Sequence, residues 1–228
     1  MPHHADIILN GAALIARSDG ALYWPDRRTL IVADLHFEKG SSFARTGQML
    51  PPYDSRETIR SLKSAIEETN PSRVICLGDS FHDLAAAARL SQEDAAAIRS
   101  LTASCDWLWI EGNHDPLPPQ GLGGQTQAEL TEGPLVFRHE AVDQPVAGEI
   151  SGHYHPKVKV KARARLISGR CFVENGKRMI LPSFGSYTGG LNVHDPEISK
   201  YFGSGFRVHL ATRHGILSMP AARTLNAA

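Results

Sequence analysis

Apolar residues in this chain gather in short runs, and a polar cluster begins where each run stops. Residues 29–33 and 74–77 are apolar and rich in β-branched side chains, and they stop at Asp34 and at Gly78-Asp79, which predicts two buried strands. Residues 7–16 read as strand, turn and strand, interrupted at Asn10-Gly11. Asp54-Ser55-Arg56-Glu57 has capping-box spacing, Ile59, Leu62 and Ile66 follow at helical intervals, and Asn70-Pro71 ends that helix. A weaker helix start at Ser91-Gln92-Glu93-Asp94 leads through an alanine-rich segment to a strand at 107–110, which stops at Gly112-Asn113-His114-Asp115. Polar clusters at strand ends stand where open α/β sheets place their sites.

Beyond the Gly/Pro-rich segment 116–124 the texture changes to strands without long helices, at 135–139, 149–151, 157–167 and 171–181, with Asn175-Gly176 as a tight hairpin turn in the last. The expectation is one domain over residues 1–228, an N-terminal α/β half and a β-rich half sharing one core. The alanine-rich tail from Met219 is expected to be loosely ordered.

Composition narrows the classes. Twenty-four basic and 24 acidic side chains cancel, so affinity for nucleic acid would need a local patch. No apolar run approaches the roughly 20 residues of a membrane span, and the N-terminus lacks the features of a secretion signal, so no membrane contact and a cytoplasmic location are expected. Cys76, Cys105 and Cys171 have unrelated spacings, which predicts neither disulfides nor a zinc ribbon.

The histidines carry the chemistry. They cluster in order as Asp34-Leu35-His36, Gly78-Asp79-Ser80-Phe81-His82-Asp83, Gly112-Asn113-His114-Asp115, Arg138-His139-Glu140 and Gly152-His153-Tyr154-His155. Oxygen and nitrogen donors without thiolate suit Mn²⁺, Fe or Zn²⁺. Asp34 and His36 alternate by two along what reads as an extended segment, so both side chains would leave one face and grip one ion; the same holds for His153 and His155. Any one cluster could be an ordinary strand-end turn, but the ordered set points to a metal site.

This order resembles the calcineurin-like metallophosphoesterases, whose pattern is D-x-H, GD-x-x-[DH], GNH[DE], a lone His and GH-x-H. The resemblance implies two mixed β-sheets packed face to face with flanking helices, and two divalent metal ions. It implies that Asp34, His36, Asp79 and His155 hold one ion and Asp79, Asn113, His139 and His153 the other, with Asp79 as the bridge. His114 would protonate the leaving oxygen and Asp115 would orient its imidazole.

His82, three residues after Asp79, is similar to the nuclease branch of that superfamily, where such a residue orients a diester. The stretches 34–41, 50–58 and 181–192 resemble the bacterial DNA-ligase-associated metallophosphoesterases. That resemblance implies a manganese-dependent DNA endonuclease acting in DNA repair, with single-stranded DNA as substrate and an Lhr-type helicase and ATP-dependent DNA ligase as partners. A phosphodiesterase or phosphatase acting on nucleotides or other small phosphoesters would use the same metal set. A metal-binding scaffold is the non-enzymatic alternative, against which the complete ligand set and His114 argue. From Lys157 onward, alternation by two puts Lys157, Lys159, Lys161, Arg163 and Arg165 on one strand face, opposite Val158, Val160, Ala162, Ala164 and Leu166. This row would guide a polyanion away from the metals, or else form a solvated face. Lys39 and Arg45 are further candidate substrate contacts.

Overall fold

Two mixed sheets face each other across an apolar core in the computed structural model, which describes residues 3–45, 47, 53–116, 121–162, 165–203 and 205–226. The first sheet runs in spatial order through β1 (His4–Leu9), β2 (Ala12–Arg17), β3 (Leu22–Trp24), β4 (Thr29–Ala33), β5 (Arg73–Leu77), β6 (Asp106–Ile110) and β7 (Gln125–Gln127), antiparallel as far as β4 and parallel beyond it. Its connections include α1 (Lys39–Arg45), α2 (Asp54–Thr69), α3 (Ala86–Arg89) and α4 (Gln92–Thr102). The second sheet comprises β8 (Glu129–Glu132), β9 (Leu135–Arg138), β10 (Glu149–Ser151), β11 (Lys157–Ala162), β12 (Arg165–Glu174), β13 (Arg178–Ile180), β14 (Arg207–Thr212) and β15 (Gly215–Pro220). Its order is β15-β14-β12-β13-β10-β9-β8, with β11 paired on β12. A short helix, α5 (Pro196–Ser199), follows β13.

Strand alternation explains the layers. Ile31, Ala33, Ile75, Leu77, Leu108 and Ile110 turn inward to meet Phe137, Ile150, Phe172 and Met179 of the second sheet. Their neighbours Leu30, Val32, Val74, Cys76, Trp107 and Trp109 pack on the other face against Ile59 and Leu62 of α2 and Ile98 of α4. Strands buried on both faces read as unbroken apolar runs for this reason. The register then sets the site. Ala33, Leu77 and Ile110 are level across β4, β5 and β6, so Asp34, Gly78-Asp79 and Gly112-Asn113 emerge together at one edge. In the second sheet Ile150 pairs with Phe137 and Gly152 N–H donates to His139 O at 2.9 Å, bringing the lone histidine and the Gly152-His153 turn to the same level.

Three local expectations change. Helix α2 begins from Tyr53 without a side-chain cap, because Asp54 and Ser55 turn their side chains to the chain around Gly40 and Glu38 instead. The strand expected at 157–167 is a hairpin: Lys161 pairs with Leu166 and Ala162 with Arg165. Residues 219–225 of the tail are held, since Met219 and Pro220 complete β15 and Leu225 N–H donates to Lys159 O at 2.8 Å. The three cysteines are free thiols, and among the described residues no helix is long and apolar enough to cross a membrane.

Candidate active site

Strand register brings Asp34, His36, Asp79, Asn113, His139, His153 and His155 to one edge of the sandwich. The backbone there is not extended: Asp34 (φ 54°), His36 (φ 47°), Asp79 (φ 43°), His153 (φ 72°) and His155 (φ 48°) all lie in the left-handed region. A straight continuation of β4 would carry its side chains past the sheet end, whereas these turns fold the chain back across it. Such residues cost on the order of 1 kcal/mol each and concentrate at functional sites. Hydrogen bonds hold them: His36 N–H donates to Asp79 O at 2.9 Å, and His153 N–H to both Asp34 carboxylate oxygens at 3.0 and 3.1 Å. The neighbouring glycines leave room, since a Cβ on Gly78 would strike the His139 ring and one on Gly112 would strike Asp79 and Asp115.

Two groups of donor atoms result. In one, atoms of Asp34, His36 and His155 lie within 4.8 Å of one another; in the other, atoms of Asp79, His139 and His153 do. Asn113 joins the second, its Oδ1 2.9 Å from His139 Nε2. His139 Nδ1–H donates to Leu77 O at 3.0 Å, which leaves Nε2 as the free lone pair of the neutral ring. That lone pair faces Asn113 Oδ1, Asp79 Oδ1 at 3.4 Å and His153 Nδ1 at 3.1 Å. His36 and His155 likewise meet Nε2 to Nε2 at 3.1 Å. Acceptors aimed at one another need a positive centre between them, either a proton or a cation.

The titration behaviour fits that reading. Burial works against a proton on His139, but its hydrogen bond to Asp79 and the charge of Asp34 raise it to about 9. Burial also works against ionised Asp79, yet His139 and the His114 N–H hold its carboxyl below the usual range. A metal cation would replace the shared proton, as ligand binding requires. His36 is pushed down to about 3, first by burial and then by His155, so its ring stays neutral.

Beside these groups, His82 stacks on His114, packs against Phe43 with centroids 5.7 Å apart, and meets His36 edge-on. His114 N–H donates to Asp79 Oδ1 at 2.9 Å, and its Nε2 stands 3.9 Å from Asp79 Oδ2. Asp115 does not orient the His114 ring as expected. It is buried and its Oδ2 accepts Phe81 N–H at 3.0 Å, so it braces the turn after β5; burial raises it to about 7.

Residues outside the five histidine-bearing clusters hold these loops together. Ser55 Oγ accepts Glu38 N–H at 2.8 Å and donates to Glu38 Oε1 at 2.9 Å, while Asp54 Oδ2 accepts Gly40 N–H at 2.8 Å. Arg89 donates to both Asp83 oxygens at 2.7 and 2.9 Å and to Ser41 Oγ at 2.8 Å, tying the chain beyond His36 to the chain beyond His82.

The basic row is shorter than expected. Lys157, Lys159 and Lys161 share one face, with Lys159 and Lys161 exposed and Val158 and Val160 buried behind them. Arg165 lies across the hairpin opposite Ala162 and so belongs to the other face, while Leu166, opposite Lys161, is 68% exposed on the lysine face. Arg163 lies outside the described residues. Arg45 is exposed at the end of α1.

The model of the calcineurin-like phosphoesterase family matches residues 27–200, which span all the clusters above. This chain belongs to that family. A crystal structure of Pseudomonas putida nuclease MPE is 30% identical to it, with a TM-score of 0.73, covering 95% of this chain and 100% of that one. The structure of Yfce, a phosphoesterase from E. coli, is 13% identical with a TM-score of 0.43, covering 86% of this chain and 98% of that one. No curated protein sequence matches significantly. As a calcineurin-like phosphoesterase the chain is a metal-dependent hydrolase, and its imidazole, carboxylate and amide donors suit borderline divalent cations.

Proposed function

We propose that this protein is a manganese-dependent phosphodiesterase that cuts single-stranded DNA. The observation that carries the reading is the pair of adjoining donor groups with two stacked histidines at their side. The 30% identical structure described as a nuclease supports it. Asp34, His36 and His155 would hold one cation, Asn113, His139 and His153 the other, and Asp79 would bridge them. Asp79 falls geometrically with the second group, but its charge also acts on His36 in the first. When bound, the two cations supply a water acidic enough to attack phosphorus at neutral pH and neutralise charge on the phosphoryl oxygens.

The chain's own residues do the rest. His114, with its side chain 45% exposed, delivers a proton from its ring to the leaving oxygen. His82, locked between Phe43 and His114, orients the second ester arm. Lys157, Lys159 and Lys161 guide the strand away. A role in DNA repair in the cytoplasm, with an Lhr-type helicase and an ATP-dependent ligase, belongs to the same reading and rests on the resemblance of residues 34–41, 50–58 and 181–192.

A metal-by-substrate screen tests this: a chromogenic diester, the matching monoester and circular single-stranded DNA, each with Mn²⁺, Zn²⁺ or chelator. Mn²⁺-dependent cutting of the circle is expected. Monoester hydrolysis with an intact circle would favour the nucleotide phosphatase reading.

A further inference from the structure

Two lysines flank the His36–His155 contact from opposite sides of the chain. Lys39 opens α1, and the residues on either side of it are pinned, Glu38 N–H on Ser55 Oγ and Gly40 N–H on Asp54 Oδ2, each at 2.8 Å. Lys157 opens β11; its N–H donates to Leu191 O at 2.7 Å and its Nζ to Thr188 O at 3.1 Å, so both ends of the residue are held. His36 and His155, three and two residues upstream, meet at 3.1 Å, and this brings the two ammonium groups into each other's field.

Both side chains are half-buried, and among the described residues neither forms an ion pair. Asp54, the carboxylate that acts on Lys39, is engaged by Gly40 N–H. Burial and the charge of Lys157 accordingly hold Lys39 below the ordinary ammonium range. Like charges kept together without a counter-ion are a preformed anion site, because a phosphate between them relieves their repulsion. A cavity of about 330 Å³ against His153 and His155 is bordered by Glu140 and Glu197, and its wall includes Leu191, whose carbonyl accepts the Lys157 N–H.

We propose that Lys39 and Lys157 form a second phosphate-binding site, which holds the phosphate next to the scissile one in a nucleic-acid strand. This rests on the phosphodiesterase reading above and adds a preference: a substrate with two successive phosphates is bound better than one with a single phosphate.

Two measurements on the full chain decide it. The first is anisotropy of a labelled oligothymidylate in chelator across a range of salt, for the parent, the Lys39→Gln/Lys157→Gln pair and the Lys39→Arg/Lys157→Arg pair. Losing one phosphate contact should flatten the slope of log affinity against log salt by about 0.7, and the arginine pair should keep the parental slope. An unchanged slope in the glutamine pair would overturn the site. The second compares Mn²⁺-dependent cleavage of thymidylyl dinucleotide with and without a 5′-phosphate. The extra phosphate should raise kcat/KM about tenfold in the parent and not in the glutamine pair. An equal gain in both proteins would also overturn it. Should the parent cleave neither dinucleotide, the phosphodiesterase reading fails, while the salt slopes still judge the lysine pair.

Discussion

The His82 and His114 rings stack with centroids 5.6 Å apart and planes 15° from parallel. The contact couples two residues with unequal surroundings. Among the described residues the buried His82 Nδ1 has no hydrogen-bond partner, and burial together with Lys39 lowers the ring's proton affinity. His114 is nearly half exposed and tied through its N–H to Asp79. A neutral ring thus supports one free to meet the substrate, which separates positioning from proton transfer.

His114→Ala should keep its metal and lose about 10²- to 10⁴-fold in turnover on alkyl esters. The loss should shrink with a nitrophenolate leaving group, which scarcely needs a proton. Equal losses on alkyl and nitrophenyl esters would mean damaged metal geometry.

His82→Ala should impair diesters about tenfold more than monoesters, because only a diester has a second arm to orient. Steady-state kinetics on a matched pair of substrates measures that ratio. A ratio of one with weaker metal binding would make His82 a support for a metal ligand.

Stability behind the site depends on a buried ion pair. Glu149 lies 2.6 Å from Arg178 and 3.4 Å from Arg138, and Arg178 Nη2 donates to Val142 O and Gln144 O at 2.7 and 2.6 Å, holding the segment after His139. Arg178→Ala should cost about 3 kcal/mol in urea unfolding, since it strands a buried carboxylate. A cost below about 1 kcal/mol would show that Arg138 alone suffices.

Much of this was legible in the residues. Unbroken apolar runs marked β4, β5 and β6 because both faces are buried, and the ordered clusters marked the edge where the parallel register levels them. What escaped notice depends on contacts distant in sequence. The stretches 34–41, 50–58 and 181–192 stand apart in the sequence, and the structure gives the reason they go together: Ser55 and Asp54 bond to Glu38 and Gly40, and Thr58 Oγ1 accepts Ser186 N–H at 3.1 Å. Alternation alone could not reveal that β11 and β12 pair back on each other, because period two reads the same through a hairpin until the register puts Arg165 on the other face. The role of Asp115 is hidden for a similar reason, as adjacency to His114 says nothing about a partner 34 residues earlier in the chain.

Two adjoining donor groups sharing the carboxylate of Asp79 should hold two cations. Equilibrium dialysis of purified protein against Mn²⁺ tests it most directly, with parent and Asp79→Ala side by side. The parental chain should bind two ions, and the variant should lose at least one of them together with all diester hydrolysis. Two tightly bound ions in Asp79→Ala, with hydrolysis at the parental rate, would contradict it.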